Sequence, residues 1–553
     1  MLVNGQQSAV ERCLLISEIS REICGLLYKD NELKSLARLA RTSTNMHAAV
    51  VPVLWGHMAS FTPLLKLLAL PDDMWTEGPT GLLFTNPSAL DWTRFQLHAR
   101  SVRALLWEED DNISVETLQA LSRHRPHGGP LLPHLNALMW CDNREDCTAF
   151  LPMFLTPSIR ELHIKSVFHN PDATAELFVH AMHTCTSVEV LELRVKAPQK
   201  PRGHDPVIDD ALAKYFHALT DLQEYYGDII LSAKCVGALG TLPKLETVEL
   251  HVMPEELEAA IATPASLTGE FFQPVKMLSL NTPILGASSR AFLAAVRSST
   301  LGEVLITADL PADALTVQKH MQALAEAAYK DSLKAVHVEI AIEYLEEIEE
   351  YDDPDQPVLY AKAVFEPLIA LKQLETIIVR APRLTLDSAA LRDMCNDLPM
   401  LQTFSVAGII TDCRHEVPGS GGQCVTLRDL AAVASSRPNL RTLELHLNAL
   451  EIPAIGDAEI QNLLSGSKSL PSDRMLDTLT VFNAPLSVEK AETVAMYLAW
   501  LFPRLKHVGY ELGLAEDEED EDFPHRDYEE AWEEVQRLLT ALSEVRDQAM
   551  DQT

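Results

Sequence analysis

The residue types best suited to chemistry lie in one stretch, where Cys413, His415 and Cys424 flank Gly419-Ser420-Gly421-Gly422-Gln423. Two thiols and an imidazole can hold zinc, but this spacing matches no usual zinc module. The glycines lack the Gly-Lys-Ser/Thr that completes a phosphate loop, so the stretch reads as a flexible connection. His415-Glu416 stands without the second histidine of H-E-x-x-H, and no G-x-S-x-G turn occurs. Scattered Ser, His and Asp define no triad. The expectation is therefore a chain with no catalytic residues, no metal and no cofactor. An enzyme with an unrecognised site would require a deep pocket lined by ionisable groups of perturbed pKa, and no motif supports one.

A second set of polar residues is better placed to act, because its members recur inside one strand-like phrase, apolar-x-x-apolar-x-apolar. The phrase is clearest in Leu440-Arg441-Thr442-Leu443-Glu444-Leu445-His446, in Leu245-Glu246-Thr247-Val248-Glu249-Leu250, and in Val188-Glu189-Val190-Leu191-Glu192-Leu193. Further copies lead with Leu135, Ile159, Val275, Leu333, Leu374, Leu401, Leu476 and Leu505, and weaker ones with Val102, Leu222 and Leu301. Alternation sends the apolar residues to one face of each strand and the polar ones to the other. The polar face comprises His163, Lys165, Glu192, Arg194, Glu249, His251, His337, Glu339, Arg380, Glu444 and His446. These are the candidate partner-binding residues, set against the plainer reading of a solvated sheet face.

The leads lie roughly 23 to 41 residues apart. One such unit cannot bury its own apolar face. Stacked units can, with strands side by side in a parallel sheet and the intervening helical stretches outside. Residues 209–219 and 388–395 have the helical apolar spacing and acidic starts expected of those stretches.

Composition agrees with a folded, repeat-built protein. At 553 residues, with 47% hydrophobic and 23% charged side chains, the chain is too long for one compact core yet apolar enough to bury a large one. A net charge of -35 argues against nucleic acid or an anionic membrane as partner, because both are bound through clustered Lys and Arg. Acidic runs at 343–355 and 516–522 read as solvated segments. The nine cysteines are odd in number and never in C-x-x-C spacing, which fits reduced thiols. No secretory leader or long apolar window is evident, so a cytoplasmic or nuclear location, or both, is expected, and the Asn112-Ile113-Ser114 sequon carries no meaning there.

The ends read differently. Residues 10–58 form three short amphipathic stretches: Leu14, Leu15, Ile16, Ile19, Ile23, Leu26 and Leu27; then Leu33, Leu36, Leu39 and Ala40 after Asp30-Asn31; then Val50, Val51, Leu54 and Trp55. Near the other end, Tyr528, Trp532, Val535, Leu538, Leu539, Leu542 and Val545 follow the acidic run at helical spacing, as expected of a helix that caps the last repeat.

From about residue 96 to 514 the pattern resembles the leucine-rich-repeat superfamily. The family's turn asparagine is found cleanly only at Asn143 and Asn448, which implies an irregular array whose other turns close differently. The N-terminal stretch resembles an F-box, through Leu15-Ile16-Ser17-Glu18-Ile19, Ile23, Leu26-Leu27, the run 33–41 and Leu54-Trp55, with Ile16 where the family usually has Pro. The combination is similar to F-box-like leucine-rich-repeat proteins of fungal type. The fold class expected is thus α/β, an irregular leucine-rich-repeat solenoid with an N-terminal helical segment: 10–58 F-box-like, 59–95 linker or N-terminal cap, 96–514 repeats, and 515–553 acidic run and amphipathic helix. The resemblance implies a substrate-recognition subunit of a cullin-RING ligase, with Leu15, Ile19, Ile23, Leu27, Leu36 and Trp55 on a Skp-type adaptor and a target protein of unknown identity on the concave sheet face. The alternative is a repeat scaffold without a ligase link, its N-terminal helices serving only as a cap.

Overall fold

A computed structural model describes residues 16–68 except 31, 75–78, 81–84, 90–108, 113–166, 170–195, 205–263, 271–340 except 311, 362–407 except 382–385 and 387, 425–482 except 437–438 and 467–473, 484–511, and 525–551. Leu15, the Cys413/His415/Cys424 stretch and both acidic runs lie outside these residues. The chain divides into two units, Met1–Thr247 and Val248–Thr553.

In the first unit, helices Ser17–Lys29, Leu33–Leu39 and Thr44–Leu54 precede strand β1 (His57–Met58). An antiparallel hairpin follows, β2 (Trp75–Gly78) and β3 (Gly81–Phe84), with Trp75 opposite Phe84. Then come β4 (Ala104–Glu108), β5 (Ala137–Cys141), β6 (Glu161–Ser166), β7 (Val190–Val195) and β8 (Glu224–Gly227). Apart from the hairpin these strands form a parallel sheet in chain order. The second unit repeats the plan with β9 (Thr247–His251), β10 (Met277–Thr282), β11 (Glu303–Ala308), β12 (Ala335–Ile340), β13 (Thr376–Arg380), β14 (Thr403–Ala407), β15 (Thr442–His446), β16 (Thr478–Phe482) and β17 (His507–Glu511). Each unit is thus an open array of parallel strands with intervening helices, and the expected strand-and-helix architecture holds.

All fourteen leads named from the sequence are buried, and in every case a strand begins two residues later. One backbone device repeats at these starts. A single carbonyl accepts two N–H groups from the next repeat, as Lys276 does from Gly302 and Glu303, and Gly302 from Lys334 and Ala335. Because this step is local, loops of unequal length leave the register undisturbed. The lead carbonyls are often satisfied by hydroxyls of the following turn: Thr156 and Ser158 on Leu135, Ser298 on Val275, Ser332 on Leu301. Here are the other closures that the scarcity of turn asparagines required. Asn448 closes its own turn by accepting the Leu450 N–H at 3.0 Å.

Helices cover one face of each sheet and pack on their successors, Pro171–Thr184 on Pro206–Ala218 and Ala287–Ala295 on Ala314–Glu326. The helix anticipated at 209–219 begins at Pro206, where Asp205 accepts the Val207 N–H and proline occupies the first turn. Between β5 and β6 the helical element is 3-10, Glu145–Met153. The last helix, His525–Asp551, packs on β17 and on helix Ala491–Leu501, and of the stripe anticipated there Leu542 and Val545 are exposed. Trp532, Val535 and Leu539 are buried there, and Gln536 accepts the Val508 N–H and donates to the Lys506 carbonyl. That carboxamide satisfies edge groups of the last strand much as a further strand would.

Candidate interaction surfaces

The N-terminal helices enclose a small apolar cluster of Cys24, Leu36, Ala49 and Val50, with Leu27, Tyr28, Leu39, Val53 and Leu54 against it. Helix Ser17–Lys29 starts directly after Ile16 without a side-chain cap. Its inward arc holds Cys24 and Leu27. Its outward arc carries Ile16, Ile19, Ile23 and Leu26, which are 46%, 38%, 37% and 52% exposed, and Leu33 of the next helix is 45% exposed. Positions 16, 19, 23 and 26 follow helical periodicity, so they line up as one apolar ridge.

Of the six adaptor-facing residues expected from the sequence, Ile19 and Ile23 lie on this ridge, and Leu15 is outside the described residues. Leu27 is half-buried against the cluster. Leu36 is fully buried within it, which removes it from any docking surface, because its side chain is what holds the helices together. Trp55 is half-buried, its ring 4.6 Å from that of His98, and serves packing. Ile16, Leu26 and Leu33 are the ridge members left out of that set. Both arcs of the helix are apolar, and the spacing alone does not say which one is covered.

The strand faces carry the second candidate surface. In register, His163 is opposite Glu192 and Lys165 opposite Arg194. His163 Nδ1 lies 2.7 Å from the Glu192 carboxylate, Arg194 Nε 3.2 Å and Lys165 Nζ 3.4 Å. Burial pushes the Glu192 carboxyl up, but hydrogen bonds from His163 and Arg194 and the charge of Lys165 outweigh it and hold the group below its ordinary value. Four of the expected residues thus form one cluster on β6 and β7.

The others are spread along the second unit. Glu249 accepts from Asn281 at 3.3 Å, and His251 lies two residues on. His337 is 3.9 Å from Glu303; burial, aided by Arg380, keeps its imidazole below the usual value against the pull of Glu303 and Glu339. Glu339 is exposed. Glu444 accepts from Ser405 at 2.5 Å and lies 3.9 Å from Arg380. His446 differs from expectation: although alternation aims it at the open face, it is 3% exposed beside the Phe482 ring of the neighbouring strand, so it presents nothing to a partner.

No group of three His, Cys, Asp or Glu able to hold a metal occurs among the described residues, and none of their helices is long and apolar enough to cross a membrane.

Neither a protein-family model nor a curated protein sequence matches the chain. Among solved structures it is similar to TLR13 in its ssRNA13 complex (13% identity, TM-score 0.37), covering 75% of this chain and 50% of that one. It is also similar to the yeast Rad7 and Elc1 complex (14% identity, TM-score 0.35, 75% of this chain and 97% of that one). A leucine-rich-repeat protein of Leptospira interrogans matches at 12% identity and TM-score 0.28, over 69% of this chain and 92% of that one. The chain spans half the length of the TLR13 chain.

Proposed function

We propose that this chain is a non-catalytic protein-binding scaffold that acts as the substrate-recognition subunit of a cullin-RING ubiquitin ligase. Its N-terminal ridge engages a Skp-type adaptor, and its open strand face holds a target protein. The observation that supports this reading is the ridge itself. A helix serving only as a cap would turn its apolar residues inward, whereas Ile16, Ile19, Ile23, Leu26 and Leu33 face outward while a separate arc builds the cluster. The chain makes and breaks no bond; its contribution is proximity, bringing a target lysine to an enzyme carried by another subunit. On the strand face, the Glu192 cluster and the residues from Glu249 to Glu444 supply the polar contacts.

The test is co-purification with a Skp-type adaptor, comparing the native chain with an Ile19→Asp, Ile23→Asp double variant. Both positions are exposed, so circular dichroism of the variant should match that of the native chain. Stoichiometric capture lost in the variant is the expected result. Failure of the well-folded native chain to be captured would sink the ligase reading. It would leave a capped repeat scaffold, for which the contact of Tyr28 with His57, ring centroids 6.0 Å apart, already links the helices to β1.

A further inference from the structure

On the strands of the second unit, the residues that alternate with the core positions lie on the open face, and the parallel register aligns them in rows. One row runs Ser279, Leu305, His337, Ile378, Ser405 across β10 to β14. The two serines are buried, whereas Leu305, His337 and Ile378 are half-buried, so three large side chains in succession stand between two small ones. The flanking residues on the same strands, Val304, Ile306, Ile377 and Val379, fill the core, which leaves Leu305 and Ile378 no part in it. A sheet face that meets only water carries polar residues at such positions. One aliphatic side chain there would be ordinary; two in register around one imidazole form a continuous strip. Burial holds that imidazole, His337, below its usual value, so the strip is uncharged at neutral pH.

Its edges are charged. Glu303 starts β11 on one side and lies 3.9 Å from His337. On the other side Thr307, Glu339 and Arg380 are in register, and Arg380 is 3.9 Å from Glu444 of β15. Three carboxylates therefore border the strip against one guanidinium, which itself lies between two of them. The same sign holds at long range, with a net charge of -35 over the chain. An apolar centre within a polar rim is the anatomy of a protein interface, and an acidic rim on an acidic chain attracts a cationic partner and repels an anionic one.

We infer that the strip of Leu305, His337 and Ile378 docks a basic polypeptide segment, which lays apolar side chains on Leu305 and Ile378 and sets lysine or arginine against Glu303 and Glu339. Three strands span roughly 10 Å at the usual spacing, the length of about three residues of extended chain. The inference rests on the reading that the open strand face holds a protein, to which it adds the chemical class of that protein, and it is independent of the adaptor.

The experiment is fluorescence anisotropy of the full chain with four labelled peptides, alternating lysine with valine, glutamate with valine, serine with valine, and lysine with serine. Saturable binding of the lysine–valine peptide, about tenfold or more tighter than of the others, is expected. Leu305→Ser with Ile378→Ser should weaken it by about tenfold or more, and Glu303→Gln with Glu339→Gln should weaken it and flatten its dependence on salt. Glu529→Gln with Glu533→Gln, both exposed on the last helix, makes the same change in net charge and should leave binding nearly unaltered. Melting curves identify a variant that fails to fold, and the Glu303 and Glu339 pair then carries the comparison. Equal binding of the lysine–serine peptide, or equal weakening by the Glu529 and Glu533 pair, overturns the proposal. Preference for the glutamate–valine or serine–valine peptide, lost in the Leu305 and Ile378 variant, overturns the basic occupant while keeping the strand face as the target surface. Absence of saturable binding by all four overturns the proposal outright, and adaptor capture by the ridge, measured apart, stands or falls by itself.

Discussion

Acidification should loosen the second unit through one buried histidine. His320 lies on helix Ala314–Glu326 and is 0% exposed. Its Nδ1 is 2.7 Å from the Thr316 carbonyl, an acceptor only, so the proton belongs on Nδ1. Nε2 therefore accepts from Ser289 Oγ, 2.7 Å away on the adjacent helix Ala287–Ala295. Burial lowers this imidazole to about 4; the Thr316 carbonyl pulls the other way, and Arg290 adds to the lowering. Between the unfolded value near 6.5 and the folded value, the unfolded chain takes up a proton that the folded chain refuses. Stability is therefore complete above about pH 6.5 and falls as pH drops towards 4. The full loss is roughly 3 kcal/mol, of which about 2 kcal/mol should be lost between pH 7.5 and pH 5. Repeat arrays open in parts, so the assay is hydrogen exchange by mass spectrometry on peptides from 287–326, corrected for intrinsic rates. His320→Leu is the reference, because Ser289 retains the Gly286 carbonyl at 3.1 Å for its hydroxyl. The advantage of the native chain over this variant should shrink by roughly 2 kcal/mol from pH 7.5 to pH 5. A gap that stays constant across that range would refute the reasoning.

Three further expectations concern single contacts. Asp142 is fully buried, accepts from Trp107 Nε1 at 2.9 Å and pairs with Arg144 at 2.6 Å; Asp142→Ala should cost roughly 3 kcal/mol and alter the near-ultraviolet dichroism of the stacked Trp107 and Trp140. Burial pushes that carboxyl up, but Arg144 and Trp107 more than offset it and leave it below its ordinary value, so its contribution should be present at neutral pH and lost in strong acid. A Cβ at Gly56 would lie 2.5 Å from the Pro52 carbonyl oxygen, and the Gly56 carbonyl receives Arg103 and Ala104; Gly56→Ala should lower the thermal midpoint and deprotect the Ala104 amide, and an unchanged midpoint would count against that crowding. Gln536→Ala should cost about 1 to 3 kcal/mol and raise exchange at the Val508 amide, while unaltered exchange there would mean that the carboxamide does not cap the edge.

Strand positions were legible because they rest on local geometry. Leucine or an equivalent followed by alternating apolar residues specifies a strand whatever the loop length, so every lead from Val102 to Leu505 marks one. The two-residue β1 and the hairpin of β2 and β3 carry too few alternating positions to announce themselves. The F-box resemblance implies a docking role for Leu36, but helical spacing shows only that a leucine lies on an apolar arc and not which arc is covered. The same limit applies to His446, which alternation places on the open face and Phe482, from the next strand, then covers.

By itself, then, the sequence determined the period, the parallel order of the strands and the absence of familiar catalytic motifs, because each depends on residues within one repeat. Tertiary structure alone decided which face of helix Ser17–Lys29 stays open, and which carboxylate His163, Lys165 and Arg194 share. It also decided that Arg474 and Arg546 donate to carbonyls at the same helix end. Burial and ion pairing are settled by groups brought together from distant repeats, and no spacing along the chain records those distances.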